Sequence, residues 1–436
     1  MSRELRETAR LIAARVLLRR EEAHAFTEDL LEADPGFRFL PDRDRRLAHE
    51  LVLGVVRWQG TLDWLIQRRT SDRPQKRPVQ VLLRLGLYQI FWLDRVPDHA
   101  AVNDTVDLAH PFRVEAQAGF MNGLLRGYCR ERDAVQTELE QLRQADPALG
   151  WSHPGWLVAR WMQRLGPEKT AALLAWNNAA SANYARINLL RVRPTRLIER
   201  WREEGVEYDF GHWNWVPENL VFRLKVHPPL SRLRSFGEGW FYVQDPSTLL
   251  AVHLLDPRPE ERMLDVCAAP GGKTTYAAQL MDDDGTILAL DLDADRVRRL
   301  RENCVRLGLR SVVCGELPED EPGAPAEGLF DRVLVDAPCS NTGVMRRRVD
   351  LRWRIQPDEI GRLAALQGDL LHRSSLAVKP GGVLVYSTCS LEPEENRGVV
   401  DAFLSEHPQF ELQEDRELFP PESRSDGAYA AKLRRK

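Results

Sequence analysis

Apolar residues recur at helical spacing through the first third of the chain. Leu5, Ala9, Ile12 and Val16 begin the series, and Leu47-Ala48, Leu51-Val52 and Val55-Val56 continue it. It returns at Leu82-Leu83, Leu85 and Leu87-Tyr88, then at Phe120 and Leu124-Leu125. Breaks fall at Pro35-Gly36, Pro41-Asp42, Pro74 to Pro78, and Pro97. No clear strand interrupts the pattern, so residues 1–140 predict a compact all-α domain of several helices. Residues 141–239 change character. A helix from Trp156 through Leu174 precedes strands at Arg186–Leu190 and Leu220–Leu224, with a helix at Pro194–Trp201 between them, which makes a small α+β linker domain.

From residue 240 to 436 the pattern becomes strand, helix, strand. Strands are expected at Trp240–Asp245, Met263–Cys267, Ile287–Asp291, Ser311–Val313, Asp331–Asp336 and Gly382–Ser387. Helices follow at Thr274–Leu280, Arg296–Leu307, Pro357–Ala377 and Glu394–Phe403. That pace means a largely parallel, Rossmann-like α/β sheet, and the fold class is therefore multidomain. The Pro/Glu/Gly-rich run from Pro318 to Gly328 reads as a loop.

The stretch Met-Leu-Asp-Val-Cys-Ala-Ala-Pro-Gly-Gly-Lys at 263–273 organises the last domain. A strand ends near Asp265, breaks on Pro270-Gly271-Gly272 and re-forms as a helix, the way an open α/β sheet holds a small ligand. Glycines admit backbone N–H groups to the ligand, and the helix N-terminus favours a negative group. G-x-G-x-x-G is absent, which argues against a nicotinamide or flavin. A P-loop needs a glycine five places before Gly272, and Cys267 stands there. About twenty residues on, Asp291 closes a second buried strand, where a carboxylate accepts hydrogen bonds from both ribose hydroxyls. An adenosine-type ligand is the reading; a surface Asp after a strand is the blander one.

Composition adds limits. The 436 residues are 43% hydrophobic and 29% charged with net charge −4, an ordinary soluble balance that does not announce nucleic-acid binding. Any attraction to nucleic acid must be local. Arg43, Arg45, Arg46, Arg57, Arg68, Arg69, Arg84, Arg95 and Arg126 stud the helical domain, either as a salt-bridged solvated face or as a phosphate-contacting one. Trp213 and Trp215 serve either as core or as platforms for bases. Cysteines 129, 267, 304, 314, 339 and 389 form no Cys-x-x-Cys and no zinc-finger spacing, so no metal is expected. With no secretory signal and no run of about eighteen apolar residues, the expectation is a reduced cytoplasmic protein that meets no membrane. Glu4 and Glu7 argue against a transit peptide.

Two cysteines stand apart. Cys339 follows the strand ending in Asp336, and Cys389 follows the strand ending in Ser387, so both fall at the sheet's carboxyl edge beside the glycine turn. A free cysteine is usually an inert buried residue, and Cys129, Cys304 and Cys314 are read that way. If the ligand is S-adenosylmethionine, it offers an electrophilic methyl group. A pyrimidine C5 is too weak a nucleophile to take it directly, but a thiolate adding at C6 makes C5 enamine-like. The adduct must then lose the C5 proton and expel the thiol, which suits one nucleophilic cysteine and a second that assists release. Asp336 can hydrogen-bond the cytosine N3/N4 edge and touch the cofactor as well. Spacing alone leaves the roles of the two thiols open.

Three stretches carry a family resemblance: Asp265-Val266-Cys267-Ala268-Ala269-Pro270-Gly271-Gly272-Lys273-Thr274; Asp336-Ala337-Pro338-Cys339-Ser340-x-Thr342-Gly343; and Tyr386-Ser387-Thr388-Cys389-Ser390-x-x-Pro393-Glu394-Glu395-Asn396. They resemble the Fmu/Sun family of S-adenosylmethionine-dependent RNA cytosine-5 methyltransferases. Asp42–Val52, Leu83–Gln89, Val96–Asn103 and Gly119–Arg126 resemble NusB, and more closely the NusB-like RNA-binding domain fused to bacterial rRNA methyltransferases. The resemblance implies Cys389 as nucleophile and Cys339 as the thiol promoting release, where DNA cytosine-5 enzymes use the Pro-Cys thiol as nucleophile. It also implies Cys267, Ala268, Ala269, Pro270, Gly271, Gly272 and Lys273 around the methionine part of the cofactor, Asp291 at the ribose and Asp336 where cofactor and base meet. Glu316, where the family usually has Asp, would face the adenine amine.

The family's Arg-Arg-His-Pro-Asp is here Arg346-Arg347-Arg348-Val349-Asp350, and Ala428 replaces a common aromatic. Arg346, Arg347, Arg348, Arg352 and Arg354, with Trp353 among them, suit a grip on RNA backbone and bases. A stacked cytosine must be turned out to meet Cys389, so a single-stranded or loop region is expected, and the resemblance implies 16S rRNA as the partner, with no DNA and nothing that requires a dimer. The alternatives are a catalytically idle NusB-like assembly factor, the same chemistry on 23S rRNA or tRNA, and transfer to an exocyclic amine. Amine methyltransferases place Asn/Asp-Pro-Pro-Tyr/Phe where this chain has Asp-Ala-Pro-Cys.

Overall fold

In the computed structural model, residues 7–22, 25–317 and 328–436 are described. The expected loop at 318–328 falls almost wholly outside them, as does Leu5 of the first helical repeat. The chain forms two compact units: Met1–Asn178 with Arg348–Arg354, and Ala179–Arg347 with Ile355–Lys436.

The first unit is helical throughout its described residues. At its centre lies Arg77–Trp92, whose Val79, Leu82, Leu83, Leu85, Leu87 and Ile90 are at most 1% exposed, so this helix is apolar nearly all round. Ala9–Arg20 and Asp42–Arg57 pack on it by their apolar faces. Part of the arginine wealth is internal. Arg84 is held by Asp63 at 2.6 Å and Glu21 at 3.0 Å, while Arg45, Arg68 and Arg69 pair with Asp42, Glu138 and Glu131. Arg43, Arg46, Arg95 and Arg126 are exposed.

The second unit holds two sheets. The smaller contains β1 (Asn183–Ile187), β2 (Glu207–Phe210), β3 (Val221–Val226) and β4 (Phe241–Val243), in the antiparallel order β2-β3-β1-β4. The helix Pro194–Glu204 closes it through buried Leu197 and Trp201. One expectation is corrected: the strand at 240–245 does not open the large sheet but pairs with β1, Ile187 opposite Phe241. A lone apolar run bounded by turns does not say which sheet it joins. Trp213 and Trp215 belong to this unit's core, their indole N–H groups donating to the Ser423 and Pro246 carbonyls, so neither is a free stacking platform.

The larger sheet comprises β5 (Arg262–Asp265), β6 (Thr286–Asp291), β7 (Val312–Glu316), β8 (Phe330–Asp336), β9 (Val378–Thr388), β10 (Phe410–Leu418) and β11 (Ala428–Arg435). Its order is β10-β11-β9-β8-β5-β6-β7, parallel from β9 to β7, with β11 and β10 antiparallel at one edge. Successive β5 residues face opposite layers: Met263 packs with Ile287, Leu334 and Val385, Leu264 with Val333 and Leu384. Both faces are therefore buried, and the strands read as continuous apolar runs. From β5 the chain winds outward through β6 and β7, then returns to place β8 on the other side of β5. The carboxyl end of β5 is the switch point, where open α/β sheets bind ligands.

Candidate active site

At that switch point β5 ends in Asp265, β6 in Asp291, β7 in Glu316, β8 in Asp336 and β9 in Thr388. Register aligns them, with Asp291 opposite Glu316 and Asp336 opposite Ser387. The glycine turn leaves β5 here through a cis Ala269–Pro270 peptide, and Gly271, at φ 105°, caps the helix Gly272–Leu280. That φ is open to glycine and strained for other residues.

The turn is pinned from several sides. Thr274 Oγ1 donates to Asp265 Oδ2 at 2.7 Å, and the Ala269 N–H donates to Asp291 Oδ2 at 3.1 Å. Arg296 also pairs with Asp291, at 3.0 Å, from a half-exposed position. Beneath the turn lies Arg186 of β1, 1% exposed, donating to the Gly272 carbonyl at 3.2 Å and to Thr275 Oγ1 at 2.9 Å. Burial pushes its guanidinium down to about 10. Nothing in the sequence marks Arg186, since a single arginine in a β-pattern reads as surface.

Electrostatics around the turn favour a cationic ligand. Asp265 is 1% exposed, and its Oδ1 meets no hydrogen-bond donor. Burial raises its pKa to about 7, with Asp336 and Asp291 adding to the effect. Burial likewise pushes the Cys267 thiol up, so Cys267 stays neutral. Lys273 donates to Asp336 Oδ2 at 2.6 Å. Burial opposes its charge, but the Asp336 carboxylate outweighs that and raises its pKa. An orphaned buried carboxylate oxygen, a second carboxylate at the end of the neighbouring strand and a glycine turn fit S-adenosylmethionine, whose sulfonium and ammonium groups are both positive. Glu316 is exposed at the end of β7, next to Asp291.

The two cysteines meet. Cys339 Sγ and Cys389 Sγ lie 3.3 Å apart, one after β8 and the other after β9. Cys389 also donates to Asn341 Oδ1 at 3.0 Å, and the Asn341 amide returns to the Cys339 carbonyl. Asn341 sits at φ 59°, a left-handed conformation that asparagine tolerates. The Cys389 contact, burial and the Glu395 carboxylate together raise the pKa of Cys339 well above the thiol range. Asp336 stands beside them, its Oδ1 accepting from Ser387 Oγ at 2.8 Å. A cleft lined in part by Ser247, Thr248, Lys273, Thr388, Cys389 and Gly427 opens there. Asn341 fills an unspecified motif position, and Ser387, though inside the Tyr386–Asn396 motif, carries no sign there of its bond to Asp336.

The arginine cluster after Cys339 is a second correction. Arg346 donates to the Ala180 carbonyl, and Arg347 to Asp245 at 2.9 Å, Asp426 at 3.0 Å and the Ala182 carbonyl. Within the helical unit, Arg352 is 0% exposed and donates to the carbonyls of Arg57, Ser152 and Asn177. Trp353 donates to Val56 O at 2.7 Å, and Arg354 to the Ala25 carbonyl. Guanidinium groups spent on carbonyls and carboxylates are not presented to phosphates. Arg348 alone of the five is exposed. The described residues hold no cluster able to bind a metal and no helix long and apolar enough to cross a membrane.

Comparison with known proteins agrees with the three kinds of architecture. Residues 252–434 match the 16S rRNA methyltransferase RsmB/F family, residues 7–130 the NusB family, and residues 153–222 the ferredoxin-like domain of RsmF/B-like methyltransferases. The probable ribosomal RNA small subunit methyltransferase B of Bacillus subtilis is 35% identical over 93% of this chain and 90% of its own. Ribosomal RNA small subunit methyltransferase B of Klebsiella pneumoniae is 36% identical over 90% of each. A solved methyltransferase homolog from Pyrococcus horikoshii, 30% identical, matches 67% of this chain and 98% of its own with a TM-score of 0.57. A NusB-like helical domain, a ferredoxin-like sheet and a Rossmann-like methyltransferase sheet thus lie in one polypeptide, and this chain belongs to the RsmB/F family of S-adenosylmethionine-dependent rRNA methyltransferases.

Proposed function

We propose that this enzyme methylates C5 of a cytosine in 16S rRNA through a covalent bond between Cys389 and C6 of the base. The observation that carries the reading is the 3.3 Å approach of two thiols at adjacent strand ends, beside the cofactor turn. Transfer to an exocyclic amine needs no thiol, and an idle RNA-binding factor needs neither the pair nor the turn.

Cys389 is the nucleophile and Cys339 the proton-bearing thiol. The Cys339 proton is held by its surroundings, and the Cys339 S–H faces the Cys389 sulfur at 3.3 Å, where it can hydrogen-bond a sulfur that attacks or departs. Addition of Cys389 at C6 moves the ring electrons toward N3 and C5. Asp336 receives the N3/N4 edge with a proton on N3, so that N3–H and N4–H both donate to the carboxylate and the N3 proton is given back when the ring is restored: each carboxylate oxygen has two lone pairs, and Ser387 and Lys273 take one on each. Bound S-adenosylmethionine supplies the methyl cation equivalent that C5 takes up. A base then removes the C5 proton, the electron pair re-forms the C5–C6 double bond, and the C6–S bond breaks with Cys389 leaving as thiolate. Cys339 assists that departure by hydrogen-bonding the emerging sulfur.

Backbone at Cys267, Ala268, Ala269, Pro270, Gly271 and Gly272 wraps the methionine portion, Asp291 takes the ribose and Glu316 the adenine side. Lys273 fixes Asp336 rather than the cofactor directly. The 1–140 region contributes RNA contacts through its exposed arginines, 141–239 supports the catalytic sheet, and 240–436 does the chemistry. Single-stranded or loop RNA is the substrate form, met by a monomer in the cytoplasm.

Labelled methyl transfer to unmodified 16S rRNA, 23S rRNA and tRNA in parallel, with digestion to nucleosides, tests the reading. 5-Methylcytosine in 16S rRNA alone is expected. The same nucleoside in 23S rRNA or tRNA overturns the target, and a methylated exocyclic amine overturns the chemistry.

A further inference from the structure

The loops that carry the two cysteines touch directly, the Gly343 N–H donating to the Cys389 carbonyl at 3.0 Å and the Leu391 N–H to Thr342 Oγ1 at 2.8 Å, and beneath the thiols the Glu395 side chain bridges both. It is 0% exposed, and its carboxylate accepts from four donors. Oε1 takes the Ser340 N–H at 2.8 Å and Gln367 Nε2 at 3.0 Å. Oε2 takes the hydroxyls of Ser340 and Ser390, which also touch each other at 3.0 Å. Ser340 immediately follows Cys339, and Ser390 immediately follows Cys389. Gln367 completes the hold by donating to the Pro338 carbonyl at 2.9 Å, on the other side of Cys339.

A buried carboxylate is costly unless donors surround it. Here every partner is a neutral donor, and three of the four come from the two serines behind the thiols. If these contacts only filled space, apolar residues would do so more cheaply. A carboxylate offers what they cannot, a bidentate acceptor able to grip two loops at once. Its charge also faces Cys339, where it disfavours the thiolate, after the Cys389 contact and burial.

We propose that Glu395 is a positioning residue for the two-cysteine reaction: its carboxylate clasps the Cys339 loop to the Cys389 loop and so sets the distance at which the second thiol assists release. The inference rests on the cysteine roles proposed above.

Glu395→Gln tests it in the full-length enzyme. The amide keeps the size and two acceptor contacts but turns an NH2 group toward the two serine hydroxyls. Two readouts separate the claims. The first is the rate at which diamide, reduced to its hydrazine as two thiols lose their hydrogens, links Cys339 to Cys389, followed by tryptic mapping. It reads loop geometry without RNA or cofactor. The second is the decay of the protein–RNA adduct in a single turnover. Loss of the two charge-assisted hydroxyl contacts should slow each by about tenfold or more, with KM for S-adenosylmethionine unchanged. Wild-type rates of disulfide formation overturn the clasp, whatever the turnover. Slow disulfide formation in E395Q, alongside a Cys339→Ala enzyme that turns over without adduct, upholds the clasp and overturns the release role instead. Should E395Q not fold, Ser390→Ala removes one strut, leaves the carboxylate three donors and puts the same test.

Discussion

Replacing Asp265 by Asn makes the stability of the catalytic unit respond to pH in a calculable way. Asp265 is 1% exposed at the end of β5, and its carboxyl is raised from 3.8 to about 7, first by burial and then by Asp336 and Asp291. A carboxyl raised on folding binds its proton more tightly in the native state than in the unfolded chain. Its favourable contribution is therefore complete below pH 3.8, shrinks as pH rises, and is gone above about 7. At about 1.4 kcal/mol per pH unit across that window, the native enzyme loses on the order of 4 kcal/mol that the asparagine variant, with nothing to titrate, does not lose. Asn also carries a constant penalty, because its NH2 lies where Oδ1 now has no partner. The assay is urea unfolding of both proteins from about pH 4.5 to about pH 8.5, on the transition that melts the large sheet. The difference between them should move steadily in favour of Asp265→Asn as pH rises, then level off. A difference independent of pH refutes the reasoning, and one that moves the other way means that Asp265 gains a cation on folding.

Three further outcomes are expected. Cys389→Ala abolishes methyl transfer, while Cys339→Ala accumulates a denaturation-resistant protein–RNA adduct visible by gel shift; activity in the first or normal turnover without adduct in the second refutes the assignment. Lys273→Met leaves Asp336 without its cation at 2.6 Å. Because both side chains are partly exposed, the cost in stability is about 1 kcal/mol, whereas single-turnover methyl transfer falls by tenfold or so, and an unchanged rate would free Lys273 of any role. RNA affinity should fall with salt, and Arg43→Gln with Arg46→Gln should flatten the slope of log K against log salt by roughly 0.7 per lost contact. A slope unaltered by both changes places the RNA elsewhere than on the exposed arginines of the helical unit.

The strand ends and the glycine turn of the candidate site are legible because their patterns are local. A parallel strand buried on both faces reads as an unbroken apolar run, and a glycine turn followed by a helix is a contiguous stretch, so β5, β6, β8 and the ends that carry Asp265, Asp291 and Asp336 stand out. Cys339 and Cys389 were legible for the same reason: each follows a recognisable strand. Other features exist only across distance. The strand β4 has the same pattern wherever it pairs, and only its partner β1 decides its sheet. The antiparallel strands β10, at the edge, and β11, between it and β9, mix charged with apolar residues, so neither reads as a buried parallel strand along the chain.

Charge misleads most. Arg346, Arg347 and Arg352 look like a surface for phosphates, yet they hold backbone carbonyls and carboxylates inside the fold. Glu395 reads as one more acidic residue until four donors converge on it. Sequence by itself determined which residues lie at the carboxyl edge of the sheet, because strand period and turn chemistry act between near neighbours. Tertiary structure alone decided that β8 and β9 lie side by side, bringing two sulfurs fifty positions apart to 3.3 Å, because strand order depends on how the whole chain buries its apolar faces.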